Sequence, residues 1–140
     1  MGSALLSKDA LFDVVELLTE DDFYSEIHKE IFRSIKELYR KSSPVDTLTV
    51  SEEIKRRNSL EMVGGRAYIA ALAADVPSTS NAAEYAKIVS QKASLRRLIE
   101  TADDIVQKAM KKTWKPTRFW TLRKKNLKLR KRGRRAILHI

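Results

Sequence analysis

Ile27, Ile31, Ile35 and Leu38 recur at intervals of four, four and three residues. A helix gathers residues at that spacing onto one face, whereas a strand would scatter them over both. Phe32 and Tyr39 widen the stripe, while Glu26, Lys29, Glu30 and Arg33 fall on the side expected to face solvent. Such a segment must bury its stripe against other elements, and the rest of the chain offers them in the same form. Leu5, Leu6, Ala10, Leu11, Val14, Val15, Leu17 and Leu18 trace an apolar face over a first helix. Ala67, Tyr68, Ala70, Ala71, Leu72 and Ala74 make a small-residue helix able to pack closely. From Tyr85 through Ile88, Val89, Ala93, Leu95, Leu98, Ile99, Ala102, Ile105 and Val106, helical spacing persists to about Met110. A helix of roughly thirty residues spans about 45 Å. Period-two alternation is scarce and no internal repeat is present. The expected fold is therefore all-α, a compact bundle of five to six helices ending in a long helix.

The punctuation agrees. Thr19-Glu20-Asp21-Asp22 ends the first helix and offers capping oxygens to a following turn. Ser25 can cap the second helix, and Pro44 stops it by disfavouring helical geometry at Ser43. Thr49-Val50-Ser51-Glu52 has the capping-box pattern, which predicts a short helix to about Arg57. Gly64-Gly65 supplies a joint where positive φ is affordable. Pro77 breaks the next connection, and Asn81-Ala82-Ala83-Glu84 resembles another cap.

Charge divides the chain. Residues 111–140 hold thirteen of the 28 Lys and Arg and none of the 18 Asp and Glu. Residues 1–110 are left with fifteen bases against all eighteen acids, a net of −3, although the whole chain stands at +10. Such asymmetry separates a folded unit, 1–110, from an appended basic tail, 111–140.

Much chemistry is excluded. There is no Cys, so disulfides, thiolate metal sites and Cys nucleophiles are ruled out. The two histidines, His28 and His139, do not make a multi-histidine metal site. The four glycines, Gly2, Gly64, Gly65 and Gly133, cannot build a G-x-x-x-x-G-K-[ST] phosphate loop or a G-x-G-x-x-G turn. Asp21-Asp22, Glu52-Glu53 and Asp103-Asp104 are adjacent acids, about 100° apart on a helix, and read as helix starts and solvated faces. His28 has no partner nucleophile in evidence and reads as a packed or capping residue. No catalytic residue, cofactor or metal ligand is assigned. No apolar run approaches a membrane span, and Met1 to Asp9 lack the basic flank and apolar core of a secretory signal. A soluble cytoplasmic protein is expected.

Three ordered blocks carry a resemblance. The first is Asp22-Phe23-Tyr24, His28 and Ile31-Phe32, then Pro44-Val45-Asp46 and Thr49. The second is Val63-Gly64-Gly65-x-Ala67-Tyr68-Ile69-x-x-Leu72-Ala73, then Val76-Pro77-Ser78, Asn81 and Tyr85-Ala86-x-Ile88-Val89. The third is Lys92-Ala93-x-Leu95-Arg96-Arg97-Leu98-Ile99. Together, over roughly residues 3 to 110, they resemble the N-terminal domain of the DnaB-type replicative DNA helicases. The resemblance implies a helical scaffold that self-associates with neighbouring N-terminal domains into a collar and takes part in docking primase. Catalysis in that family belongs to a separate ATPase motor. Gly64-Gly65, Tyr68, Pro77, Asn81 and Tyr85 carry over as fold markers; Tyr68 and Tyr85 read as packed aromatics and Asn81 as a cap. Two departures stand out. The family's first helix begins several residues before Met1. At residue 111 the family continues with an acidic helical hairpin, where this chain turns basic.

The tail admits three readings. Its bases are interleaved with Trp114, Phe119 and Trp120, which suits nucleic acid: charge meets phosphate and rings stack on bases. Lys124, Lys125, Arg130, Lys131, Arg132, Arg134 and Arg135 are the candidate contacts, non-specific in character. On this reading the chain is a small helical nucleic-acid-binding protein. A charge run can also be a solvated, disordered segment. Finally, Thr117 to Asn126 can be encoded so that reading two bases later gives Glu-Val-Leu-Asp-Ala-Ala-Glu-Lys-Glu. That is an acidic helix-forming string of the kind the family has there, so the tail is compatible with a shifted reading frame.

Overall fold

The computed structural model describes residues 1–111. These contain seven α-helices and one 3-10 turn: α1 (Gly2–Leu6), α2 (Lys8–Leu17), the 3-10 turn (Glu20–Asp22), α3 (Glu26–Arg40), α4 (Thr47–Arg56), α5 (Leu60–Val63), α6 (Gly65–Ala74) and α7 (Ala82–Met110). The fold is all-α and ends in a long helix, as expected. The count exceeds five to six because the first expected helix is two and Leu60–Val63 forms a separate turn. Ser7 makes the division. Its backbone is extended, at φ −143° and ψ 136°, and its hydroxyl accepts from the Ala10 N–H at 3.5 Å, ending α1 and capping α2.

The chain divides after Leu98: Met1–Leu98 forms one compact unit, and α7 from Ile99 onward belongs to a second. The core of the first unit is built around α3. Ile31, Phe32 and Ile35 are fully buried, with Val50 and Ile54 of α4, Val63 of α5 and Ile69 of α6. Leu38 joins them, while Ile27 and Tyr39 lie on the rim. Phe23, just after the 3-10 turn, sets its ring against Phe32 at 5.1 Å between centroids. On the other side α1 packs on α2 and α6. A Cβ on Gly2 would lie 1.9 Å from the Leu72 carbonyl oxygen, so only glycine lets these helices approach so closely.

The ends of α3 and α4 share one device. After α3, Ser42 adopts φ 54°, its N–H donates to the Tyr39 carbonyl and the Ser43 N–H reaches back to Leu38 at 2.9 Å. After α4, Asn58 adopts φ 57°, with Asn58 N–H donating to Lys55 and Ser59 N–H to Ile54. Both are Schellman caps, with Ser and Asn where Gly is commonest. Pro44 therefore follows a helix that has already been closed. Gly64 and Gly65 do adopt positive φ, at 95° and 74°.

Three local readings are corrected. The cap of α4 is Asp46, three residues before Thr49. Its carboxylate accepts from the Leu48 and Thr49 N–H groups at 2.9 and 2.8 Å, and the Asp46 N–H donates to the Thr49 hydroxyl at 3.0 Å. Glu52 instead pairs with Arg66. Glu30 is buried, because Arg57 meets its carboxylate at 2.6 Å and Arg33 at 3.4 Å. Tyr85 is half exposed, because α7 turns a different face inward.

Candidate functional site

Among the described residues no group of three His, Asp or Glu side chains could hold a metal ion. The adjacent acids do not converge on one site, as their angular separation requires. Glu52 meets Arg66 and Glu53 meets Arg56 at 2.6 Å, while Asp104 meets Lys108 at 2.5 Å and Asp103 is exposed. Asp21 is exposed, but its neighbour Asp22 is buried, contrary to the solvated face expected for the pair.

His28 is a packing residue. Its Nε2 lies 2.9 Å from the Tyr68 hydroxyl, and the two rings stack at 19° with centroids 6.3 Å apart. The pair ties α3 to α6. Burial, then the positively charged chain N-terminus, push the imidazole below its ordinary pKa. Tyr68 is half-buried against the core, as its reading as a packed aromatic requires.

The long helix is the feature without an internal explanation. Over its first stretch α7 buries Ala82, Ala86 and Ala93, with Val89 partly covered. Helical spacing sets Ile88, Leu95 and Leu98 on the opposite side, where they are 52%, 54% and 65% exposed, with Tyr85, 49% exposed, on the flank. In the second unit Ile99, Ile105, Val106 and Met110 are likewise exposed. Helical apolar spacing along α7 was legible in the sequence. Its division into an alanine face turned inward and a large apolar face turned outward was not, since both sides carry apolar residues. Asn81 begins the helix: its carbonyl accepts from the Tyr85 N–H at 3.0 Å.

The first stretch of α7 is also held by charge. Arg97 donates to the Asp22 carboxylate at 2.8 Å, and Arg96 donates to the Asp22 carbonyl at 2.6 Å. The Arg96 guanidinium lies over the Tyr24 ring, 5.9 Å from its centroid. The other carboxylate oxygen of Asp22 accepts from the Thr19 N–H at 2.9 Å and the Thr19 hydroxyl at 3.2 Å. Burial raises the Asp22 pKa, but Arg97 and Thr19 outweigh it and hold the carboxyl below its ordinary value. Blocks that lie 74 residues apart in sequence thus meet at one place.

The candidate nucleic-acid residues Lys124, Lys125, Arg130, Lys131, Arg132, Arg134 and Arg135 lie outside the described residues. No described helix is long and apolar enough to cross a membrane.

Comparison with known proteins places this architecture. The profile of the DnaB-like helicase N terminal domain matches residues 1–91. The replicative DNA helicase DnaB of Mycobacterium leprae is 44% identical over 107 residues, 76% of this chain and 18% of that protein. The replicative DNA helicase DnaB of Geobacillus stearothermophilus is 39% identical over 107 residues, again 76% of this chain and 24% of that protein. The crystal structure of the N-terminal domain of DnaB helicase from Mycobacterium tuberculosis superposes with a TM-score of 0.75 at 43% identity. That superposition covers 78% of this chain and 79% of that one. The chain thus spans about a fifth to a quarter of the length of the curated relatives it matches.

Proposed function

Because this chain belongs to the DnaB-like helicase N-terminal domain family, we propose that it is an oligomerisation and primase-docking domain of a replicative DNA helicase. It acts in DNA replication in the cytoplasm. Its partners are other helicase N-terminal domains and primase. Catalysis does not reside in these 140 residues, which contain no Walker-type loop. The reading rests on one observation: α7 carries a row of large apolar side chains that no described element covers. Exposed apolar rows of this kind mark interaction surfaces, because covering them removes apolar area from water. Sedimentation of the full chain over a concentration series tests it. Self-association that is lost in the Leu95→Asp/Leu98→Asp variant supports the proposal. A chain that stays monomeric at every concentration, or an unchanged variant, contradicts it.

The charge of the tail favours a second reading, that residues 111–140 bind nucleic acid. Thirteen bases without an acid release many counterions, so binding should be unselective and fall steeply with salt. Deleting 111–140 should abolish it; selective binding that survives the deletion contradicts it. The origin of the tail is a separate matter, decided by the gene. An open shifted frame running on into a P-loop motor supports a frame-shifted tail, and no such frame ends that idea.

A further inference from the structure

We propose that Arg96 and Arg97, gripping Asp22 and Tyr24, form a releasable latch that holds the first stretch of α7 on the helical body. The inference does not depend on self-association or on primase.

The apolar hold on this stretch is slight. The fully buried residues of α7 there are three alanines, with Val89 and Tyr85 only partly covered. The last of the three, Ala93, lies three residues before Arg96. Beyond it, the turn that ends the first unit is fixed by the two guanidinium groups. The Arg97–Asp22 attraction is weakened by salt, though less than a fully exposed pair, whereas apolar burial is not weakened.

The body loses little when the latch opens. Asp22 is buried, and stripping a buried carboxylate of its only partner would be prohibitive. Asp22 is not left bare, because the Thr19 N–H and hydroxyl remain on its second oxygen. That capping arrangement closes the 3-10 turn whether or not Arg97 is present. On the other side, Arg97 has a side chain 49% exposed and Tyr24 is 83% exposed, so the released groups are already near water. On opening, the Asp22 carbonyl and its first carboxylate oxygen exchange guanidinium donors for water, while the second oxygen keeps Thr19. Phe23, between the two gripped residues, has its own anchor in the core, with its ring 5.1 Å from that of Phe32 between centroids.

The absence of Cys permits a direct test on the full chain. Ala93→Cys places a thiol on the buried face of α7, where Ala93 is 1% exposed. Ser34→Cys, made separately, places a near-isosteric thiol in the core on α3, where Ser34 is fully buried. The rate of labelling by a water-soluble maleimide then reports opening at each site. Adding Arg96→Ala/Arg97→Ala should speed labelling at position 93 about tenfold or more and leave position 34 unchanged. Asp22→Asn, which keeps an oxygen for Thr19, should act in the same direction. Raising salt from about 0.05 M to about 0.5 M should speed position 93 in the parent and have little effect in the double variant. Labelling at position 93 that does not respond to these changes overturns the latch. So does acceleration at position 34 by the same factor, since the contacts would then be part of the global fold.

Discussion

The start of α4 gives the sharpest quantitative expectation, because two neighbouring acids compete for the role of cap. Asp46 receives the Leu48 and Thr49 N–H groups, and Thr49 answers with its hydroxyl. Glu52, the residue that a Thr49-centred box would use, is paired with Arg66 at the surface, both side chains being more than half exposed. Asp46→Ala removes the acceptor for two N–H groups that α4 cannot satisfy internally. The cost is about 1–2 kcal/mol. For a domain of this size that lowers the midpoint of thermal unfolding by about 4–16 °C. Asp46→Asn keeps the acceptor and should lose only a small part of this. Glu52→Ala removes an exposed ion pair and should cost about 0–1 kcal/mol. Thermal and urea unfolding followed by circular dichroism measure all three. The Thr49 N–H, against the opposing effect of burial, holds the Asp46 carboxyl below its ordinary pKa. Its contribution is therefore present above the unfolded value, about 3.9, and is lost as pH falls through the folded value. The gap between parent and Asp46→Ala should accordingly close in acid. A Glu52→Ala variant as damaged as Asp46→Ala, or a pH-independent gap, would refute the assignment.

Packing, backbone geometry and burial each carry a further expectation. Ile35→Ala, at a fully buried position on α3, should destabilise the fold by about 2–5 kcal/mol in urea unfolding, whereas Leu48→Ala, 60% exposed, should cost under about 1 kcal/mol. Gly65→Ala should cost about 1–2 kcal/mol although a Cβ there meets nothing within 4 Å, because φ is 74° and the penalty is that of the backbone alone. His28, held below its ordinary pKa by burial, binds its proton less readily folded than unfolded. The His28 contribution should thus be complete above about pH 6.5 and be lost as pH drops below it, and His28→Gln should flatten that part of the slope. The buried N-terminal amine, also lowered by burial, adds a contribution of the same sign that the variant leaves in place.

Elements with a strong local signature were legible in the sequence. The Ile27–Leu38 stripe, the Gly64-Gly65 joint and the helix to Met110 each follow from periodicity or backbone preference within a few residues. The misread features depend on competition or distance. Asp46-Thr47-Leu48-Thr49 and Thr49-Val50-Ser51-Glu52 both have capping patterns; the structure uses the first, and Glu52 is taken up by Arg66 from outside any local window. Ser7 interrupts an unbroken apolar spacing because its side chain offers the backbone another partner. Asp22 and Glu30 are charged residues buried by arginines 75 and 27 residues away, which no local window contains. The same holds for the candidate site. Asp22 and Tyr24 stand in the first block of the resemblance and Arg96 and Arg97 in the third, and no local pattern shows that they meet. The exposed row on α7 was read as helical but not as unpartnered, since exposure is a property of the assembled fold.

The claim that α7 is an association surface can be tested by the position of a single crosslink. Leu95→Cys puts a thiol on the exposed apolar row of this cysteine-free chain, and Leu48→Cys puts one at a comparably exposed site on α4. Under mild oxidation, Leu95→Cys should form disulfide-linked dimers rapidly and Leu48→Cys should not. Equal crosslinking at the two positions, or none at position 95, would contradict the account.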